Sequence, residues 1–311
     1  MPRTKERVRA LMILGPTACG KTAVSLALAS LAPIEIISVD SALVYRGMDI
    51  GTAKPDAAER ARVPHHLIDI VDIEESYSAA DFRSDALRLI DEIRGRGRLP
   101  VIVGGTMLYA RALREGIDEL PSTEPRVRED ILARARELGW SAMHEELSRV
   151  DPQSAARLNA NDSQRIARAL EVFAMTGRPL SSFQQGKKEP DPSIATAAFL
   201  PADRARLHAA IGERFDAMVK KGFLDEVRGL MARPGFSKTL ASMRAVGYRQ
   251  AIEHLEGKTT FAQFLEAGKA ATRQLAKRQM TWIRSMPQVH LMDPWARDHE
   301  ALAREILALA G

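Results

Sequence analysis

Gly15-Pro16-Thr17-Ala18-Cys19-Gly20-Lys21-Thr22 has the form G-x-x-x-x-G-K-T, the spacing of a phosphate-cradling loop between a strand and a helix. Glycines let such a backbone curl until its N–H groups face phosphate oxygens, and the N-terminus of the next helix adds positive potential. Lys21 supplies a point charge, and Thr22 offers its hydroxyl to a magnesium ion. The flanks agree with this reading. Ala10 to Leu14 is a short apolar run of the kind buried in a parallel sheet, and Val24, Leu28 and Leu31 recur at helical spacing. The stretch therefore predicts an α/β fold of the P-loop NTPase-like kind, a parallel sheet flanked by helices. It does not say whose phosphate is held.

With 311 residues, 45% of them hydrophobic and 27% charged, the chain has the makings of a globular protein with one large core and an inserted subdomain. No apolar run approaches the roughly 20 residues that span a bilayer. Met1-Pro2-Arg3-Thr4-Lys5 leads straight into the first strand, so a cytoplasmic protein with no membrane partner is expected. Cys19 is the only cysteine, which excludes an intrachain disulfide and a cysteine-rich zinc site. Its P-loop position asks only for a small side chain. The net charge of +5 permits a polyanionic partner, and where that charge sits matters more than its sum.

Ile34 to Val39 reads as a second strand ending in Asp40-Ser41. Ligands of doubly wound sheets bind beyond the carboxyl ends of the strands, so Asp40 is expected beside the phosphate loop. Gly47 to Pro55 is too irregular for a core element and long enough for a working loop. The adjacent pair His65-His66 points two ways from any regular element, which favours an ordinary structural role over metal ligation. Ser78 to Arg96 carries the helical period, and Leu99 to Val103 is a further buried strand closed by Gly104-Gly105-Thr106. An ordinary ATPase would end that strand in an acid that helps hold magnesium, and this one does not.

From Leu120 prolines punctuate helical patterns until Ala195 to Leu200 resumes a strand, so residues 1–119, 120–194 and 195–311 are expected as first part of the core, helical insertion and remainder of the core. Within the insertion Asp162 or Ser163 caps a helix whose Ile166, Leu170 and Phe173 form the buried stripe, leaving Gln164, Arg165 and Arg168 on a solvent-facing side. Gln184 to Pro192 reads as a return loop. The last third is mostly helical, over Asp203 to Lys221, Leu224 to Arg233 and Phe261 to Ser285. No acidic residue lies between Glu266 and Asp293, while Lys269, Arg273 and Lys277 recur every fourth residue beside a stripe of Ala271, Leu275, Trp282 and Met286. Like charges at that spacing repel, so a phosphate backbone along the helix explains the row better than solvent does.

A P-loop, an acid after the second strand, a Gly-Gly-Thr turn and two basic helical regions fit two classes of function. One is a small-molecule kinase that binds ATP and uses Asp40 to activate an acceptor hydroxyl. The other is a nucleic-acid-modifying transferase whose P-loop grips a diphosphate while basic helices grip RNA. A nucleotide-gated RNA-binding module without chemistry would leave Asp40 unexplained.

Gly15 to Thr22, Ser38 to Tyr45, Gly47 to Pro55, Val103 to Tyr109, Asn161-Asp162 with Gln164-Arg165, Arg244 to Gln250 and Thr272 to Gln279 together resemble the tRNA dimethylallyltransferases (tRNA isopentenyltransferases), in their bacterial form. The likeness runs from Ala10 to Trp282, with Cys19 standing where relatives often have serine. The resemblance implies transfer of the dimethylallyl group from dimethylallyl diphosphate to N6 of adenosine 37, next to the tRNA anticodon. It implies that Gly15, Pro16, Thr17, Ala18, Cys19, Gly20, Lys21, Thr22 and Arg244 hold the diphosphate, with Mg2+ on Thr22. Asp40 is the implied base and Thr106 hydrogen-bonds near the adenine. The implied tRNA contacts are Asp40, Ser41, Ala42, Leu43, Thr106, Arg128, Gln164, Arg165, Ile166, Ala167, Arg168, Lys277, Arg278, Gln279, Trp282 and Arg284, with the helical insertion over residues 120–194 binding the anticodon stem-loop; a monomer is expected.

Overall fold

The computed structural model describes residues 8–311 apart from Glu119, Thr123, Gln185 and Lys187. The lead-in Met1 to Lys5, the boundary at residue 119 and two positions of the expected return loop lie outside the described residues. By its internal contacts the chain forms two units, one from Met1–Glu115 with Pro190–Gly311 and one from Gly116–Glu189.

The larger unit is built on a parallel sheet. Its strands are β1 (Ala10–Leu14), β2 (Ile34–Val39), β3 (His65–His66), β4 (Leu99–Gly104), β5 (Ile194–Phe199) and β6 (His290–Met292), in the order β3-β2-β4-β1-β5-β6. Parallel strands covered on both faces need apolar side chains on both, which is why β1 and β2 are buried along their whole length. Alternation then deals the side chains to two cores. Ala10, Met12 and Leu14 pack with α3 (Ala79–Gly95) and α4 (Met107–Glu115), whereas Leu11 and Ile13 pack with α1 (Lys21–Leu31) and the C-terminal α13 (His299–Ala308). The sequence reading has β1, β2 and β4 in place, but not β3 or β6, which are two and three residues long and carry no periodic signal. α2 (Ala57–Arg62) follows the Gly47 to Pro55 segment.

A third apolar cluster lies under that segment. Val44, Tyr45 and Met48 pack there with Phe215 of α9 (Arg204–Lys220), Phe223 of α10 (Phe223–Met231), Tyr248 of α11 (Tyr248–Leu255) and Phe264 of α12 (Phe261–Ser285). Truncating any one of these buried rings to alanine costs about 3–5 kcal/mol. The buried stripe of α12 is Phe264, Gly268, Ala276, Gln279, Met280 and Ile283, so the expected stripe of Ala271, Leu275, Trp282 and Met286 is displaced to a half-buried flank.

The smaller unit holds α5 (Pro125–Leu138), α6 (Trp140–Val150), α7 (Pro152–Arg157) and α8 (Ser163–Thr176) around Ile131, Met143, Leu147, Ile166 and Leu170. Asp162 caps α8 by accepting from the Arg165 N–H. Asp151 is fully buried and accepts from Ser154 N, Ser154 Oγ and Ser181 N at 3.0, 2.6 and 2.9 Å, which replaces the water it has lost. Where the larger unit's chain departs and resumes, Asp191 N–H donates to the Arg114 carbonyl at 2.6 Å.

Candidate active site

Three strand ends meet at one point: Gly104 stands in register with both Leu14 and Val39. The P-loop leaves β1 there, with Ala18 at φ 62 and Gly20 at φ 89. That alternation of left-handed residues turns successive N–H groups toward one concavity, a shape that selects anions. Ala18 pays a steric cost for it, about 1–2 kcal/mol. The turn after β4 wraps over the end of β2, with Gly105 N and Thr106 N both donating to the Val39 carbonyl at 3.2 and 3.0 Å.

These loops border a cavity of about 510 Å³ lined by Thr17 to Thr22, Asp40, Ala42, Leu43, Gly104 and Gly105. Its other wall is apolar, with Ile211, Phe215, Met218, Val246 and Leu275. Lys21 Nζ donates to the Gly15 and Pro16 carbonyls at 2.9 and 2.7 Å and lies 3.9 Å from Cys19 Sγ. Burial lowers the pKa of Lys21, and the positive charge of Arg214 acts in the same direction against Cys19 and Asp40. Burial likewise lowers Arg214, opposed by the negative charge of Asp40. Two cations facing one concavity, each disfavoured by its surroundings, create a demand for an anion between them. Burial raises the Cys19 thiol, so it stays protonated and unreactive.

Asp40 follows β2 as expected, its Oδ1 accepting from Ala42 N–H at 2.9 Å, and it lines the cavity. Thr106 does not line it. Its Oγ1 accepts from Ser41 N–H at 2.9 Å and lies 3.3 Å from Ser41 Oγ, tying the two loops together. Ser38, near the end of the strand that Asp40 follows, lines the cavity with a buried Oγ that has no hydrogen-bond partner among the described residues. Thr22, Asp40 and Ser38 are hard oxygen donors, and no group of three or more His, Cys, Asp or Glu residues that could hold a metal occurs among the described residues. Few protein oxygens beside a phosphate grip suit Mg2+, which keeps most of its waters and takes substrate oxygens.

Arg214 has no counterpart in the sequence reading, because nothing in a charged amphipathic helix marks one arginine as cavity-facing. Arg244 is exposed, its Nη2 donating to the Thr239 carbonyl at 3.5 Å, and only its neighbours Ala245 and Val246 line the cavity. The His65-His66 pair forms β3, with His65 Nδ1 on the Val63 carbonyl at 2.8 Å and His66 Nε2 on Glu35 Oε2 at 2.7 Å.

On α12, Lys277, Arg278 and Arg284 are exposed and Trp282 is half-buried against the sheet core. The expected row of free cations is broken at Lys269, which pairs with Asp216 of α9 at 2.8 Å. Gln279 is buried, not surface-facing. On α8, Gln164 and Arg165 are exposed, Arg168 is half-buried, and Ile166 and Ala167 are buried in the helical unit's core, leaving their side chains out of a partner's reach. Arg165 pairs with Asp162 at 2.8 Å. Arg128 of α5 and Arg168 both pair with the fully buried Glu171, at 2.9 and 3.5 Å, and Arg168 also donates to the Pro121 carbonyl at 2.6 Å.

The family model described as IPP transferase matches residues 43–286. The tRNA dimethylallyltransferase of Bordetella pertussis is 55% identical over 307 residues, 97% of each chain. That of Burkholderia thailandensis is 55% identical over 302 residues, 96% of this chain and 93% of its own. Among solved structures, the tRNA isopentenylpyrophosphate transferase of Bacillus halodurans superposes with a TM-score of 0.71 at 36% identity, covering 98% of this chain and 97% of its own. A eukaryotic dimethylallyltransferase captured acting on tRNA gives a TM-score of 0.79 at 28% identity, covering 96% of this chain and 77% of its own. No helix among the described residues is long and apolar enough to cross a membrane.

Proposed function

The chain belongs to the IPP transferase family, and from that premise we propose that it moves the dimethylallyl group of dimethylallyl diphosphate to N6 of adenosine 37 in the anticodon loop of tRNA. The observation that carries the reading is that one cavity is bordered by the P-loop, two cations and the Asp40 carboxylate. The allylic C–O bond breaks as the N6–C bond forms, and the departing diphosphate takes the electron pair. Lys21, Arg214 and the N–H groups of Ala18 to Thr22 would receive that charge, so each interaction strengthens as the bond loosens. Arg244, assigned to the diphosphate by resemblance, would join them from the segment that contributes Ala245 and Val246. Thr22, with Asp40 and Ser38 nearby, would hold Mg2+. Bound there, the ion would neutralise charge on the leaving group.

Adenine's amine is a weak nucleophile that becomes acidic once bonded to carbon, so an ordinary carboxylate suffices to accept its proton. Asp40 takes that role, with Thr106 keeping the Ser41 loop in place for the base. The apolar wall of Ile211, Phe215, Met218, Val246 and Leu275 suits the five-carbon allyl group. Reaching N6 requires the base to leave its stack. Ser41, Ala42 and Leu43 would meet it on one side, and Gln164, Arg165 and Arg168 would read its neighbours, as single-stranded loop bases are read elsewhere. Lys277, Arg278 and Arg284 would neutralise phosphates of the stem. A monomer acting in the cytoplasm, where its tRNA is, completes the proposal. Incubation with tRNA and labelled dimethylallyl diphosphate should prenylate the tRNA with release of diphosphate. Label transfer from ATP instead would replace this reading with a kinase.

A further inference from the structure

We infer that Gln279 is a positioning residue of the donor site and not a contact to RNA. The inference rests on the reading of the P-loop as a diphosphate holder. Gln279 is 8% exposed, although its neighbours Lys277 and Arg278 on the same turn of α12 face solvent. Its carboxamide is used at both ends. Oε1 accepts from the Thr17 N–H at 3.0 Å and Nε2 donates to the Gly105 carbonyl at 2.9 Å. The partners settle which end is which, because a flipped amide would set oxygen against oxygen and N–H against N–H.

A Cβ on Gly105 would displace Nε2 and lie 3.1 Å from the Gly15 carbonyl, so the turn, the P-loop and the amide meet within contact distance and a side chain at Gly105 would break the amide's bond. The P-loop needs such a clamp. Ala18 is held in a left-handed conformation that a free loop would abandon, and strain of this kind persists only where surroundings over-determine it. Gln279 takes the Thr17 N–H out of play and fixes the loop at its start, leaving the N–H groups from Ala18 onward directed at the anion. It also locks the loop to the turn that bears Thr106, so donor and acceptor sides share one fixed reference on α12.

The test compares wild type with Gln279→Met, which keeps length and removes both hydrogen bonds, and Gln279→Glu, which keeps the acceptor and loses the donor. Calorimetry with inorganic diphosphate and Mg2+, without RNA, should show about tenfold weaker binding for Gln279→Met and at least as large a loss for Gln279→Glu, whose carboxylate sets an oxygen against the Gly105 carbonyl and a negative charge beside the anion. Binding of an anticodon stem-loop RNA by both variants should stay within about twofold of wild type, since Lys277 and Arg278 are intact. Thermal melts identify any variant that fails to fold, in which case the other one decides. Weakened RNA binding with diphosphate binding unchanged would overturn the inference, as would folded variants with both affinities unchanged. Wild type that does not bind diphosphate would overturn the proposed function and this inference with it.

Discussion

The hydroxyl of Tyr248 donates to Glu226 Oε1 at 2.7 Å, and the same carboxylate accepts from three consecutive backbone N–H groups, those of Asp49, Ile50 and Gly51, at 2.8, 2.6 and 3.1 Å. One side chain of α10 thereby does for the Gly47 to Pro55 segment what a helix cap does for a helix end. Gly51, Thr52, Ala53 and Pro55 of that segment line the cavity. Burial, with the negative charge of Glu226 next, raises the Tyr248 pKa and keeps its proton available for the bond.

Removing this cap should be costly. Glu226→Ala leaves three backbone donors and a phenol without their acceptor, and a loss of about 2–4 kcal/mol in chemical denaturation is expected. Tyr248→Phe deletes one bond and should cost about 1 kcal/mol. A stability change below about 0.5 kcal/mol for Glu226→Ala would mean that the segment holds itself.

Asp40→Asn should bind tRNA as wild type does and slow prenyl transfer by about 10²–10⁴-fold, the range of a lost general base. Single-turnover assays with pre-bound tRNA separate the two effects. Near-normal turnover would remove Asp40 as the base.

Arg214→Gln should raise the KM for dimethylallyl diphosphate and lower kcat/KM by about 10–100-fold, the effect of one charge-assisted hydrogen bond to a leaving group. Arg244→Gln, altering an exposed side chain, should act more weakly. If the two rank the other way in steady-state kinetics, Arg244 is the principal diphosphate arginine.

For Lys277→Ala and Arg278→Ala, weaker tRNA binding is expected together with a flatter salt dependence, by about one unit of logarithmic slope for each phosphate no longer neutralised. Filter binding across a salt series measures it. An unchanged slope would return this face of α12 to solvent.

Stability should also respond to acid through Glu35. Its hydrogen bond from Arg96 lowers its pKa below the ordinary 4.5, against burial and with His66 assisting. The contribution is fully present above that ordinary value and is lost as pH falls through the lower folded value. Glu35→Gln should flatten the acid limb of a stability-against-pH curve while leaving its neutral shape unchanged. An acid limb as steep as that of wild type would assign it to other carboxylates.

The parts legible beforehand were those with local signatures. The strands Ala10–Leu14 and Ile34–Val39 and the helix Phe261–Ser285 have the bounds their apolar patterns predict. The helical period read over Ser78 to Arg96 is found as Ala79–Gly95, with Ser78 as its N-cap accepting from the Asp81 N–H. What escaped depends on partners far away in the chain. Lys269 belongs by sequence to a basic row, but it pairs with Asp216, 53 residues earlier. Gln279 sits among basic residues and shares their surface by sequence, but the helix turns it inward to Thr17, 262 residues away. Arg214 and Glu226 belong to helices whose charged pattern is ordinary, and only tertiary packing gives one a cavity and the other a row of N–H groups.

The backbone bond from Asp191 to Arg114 closes the sheet-bearing unit across the whole helical excursion. Lys188 reaching the Ile117 carbonyl at 2.8 Å does the same from within the excursion. Because each unit is stitched shut where the chain enters and leaves, the length of the intervening segment adds little closure entropy. The length of the helical excursion can therefore vary at small entropic cost without disturbing the closure of the sheet-bearing unit.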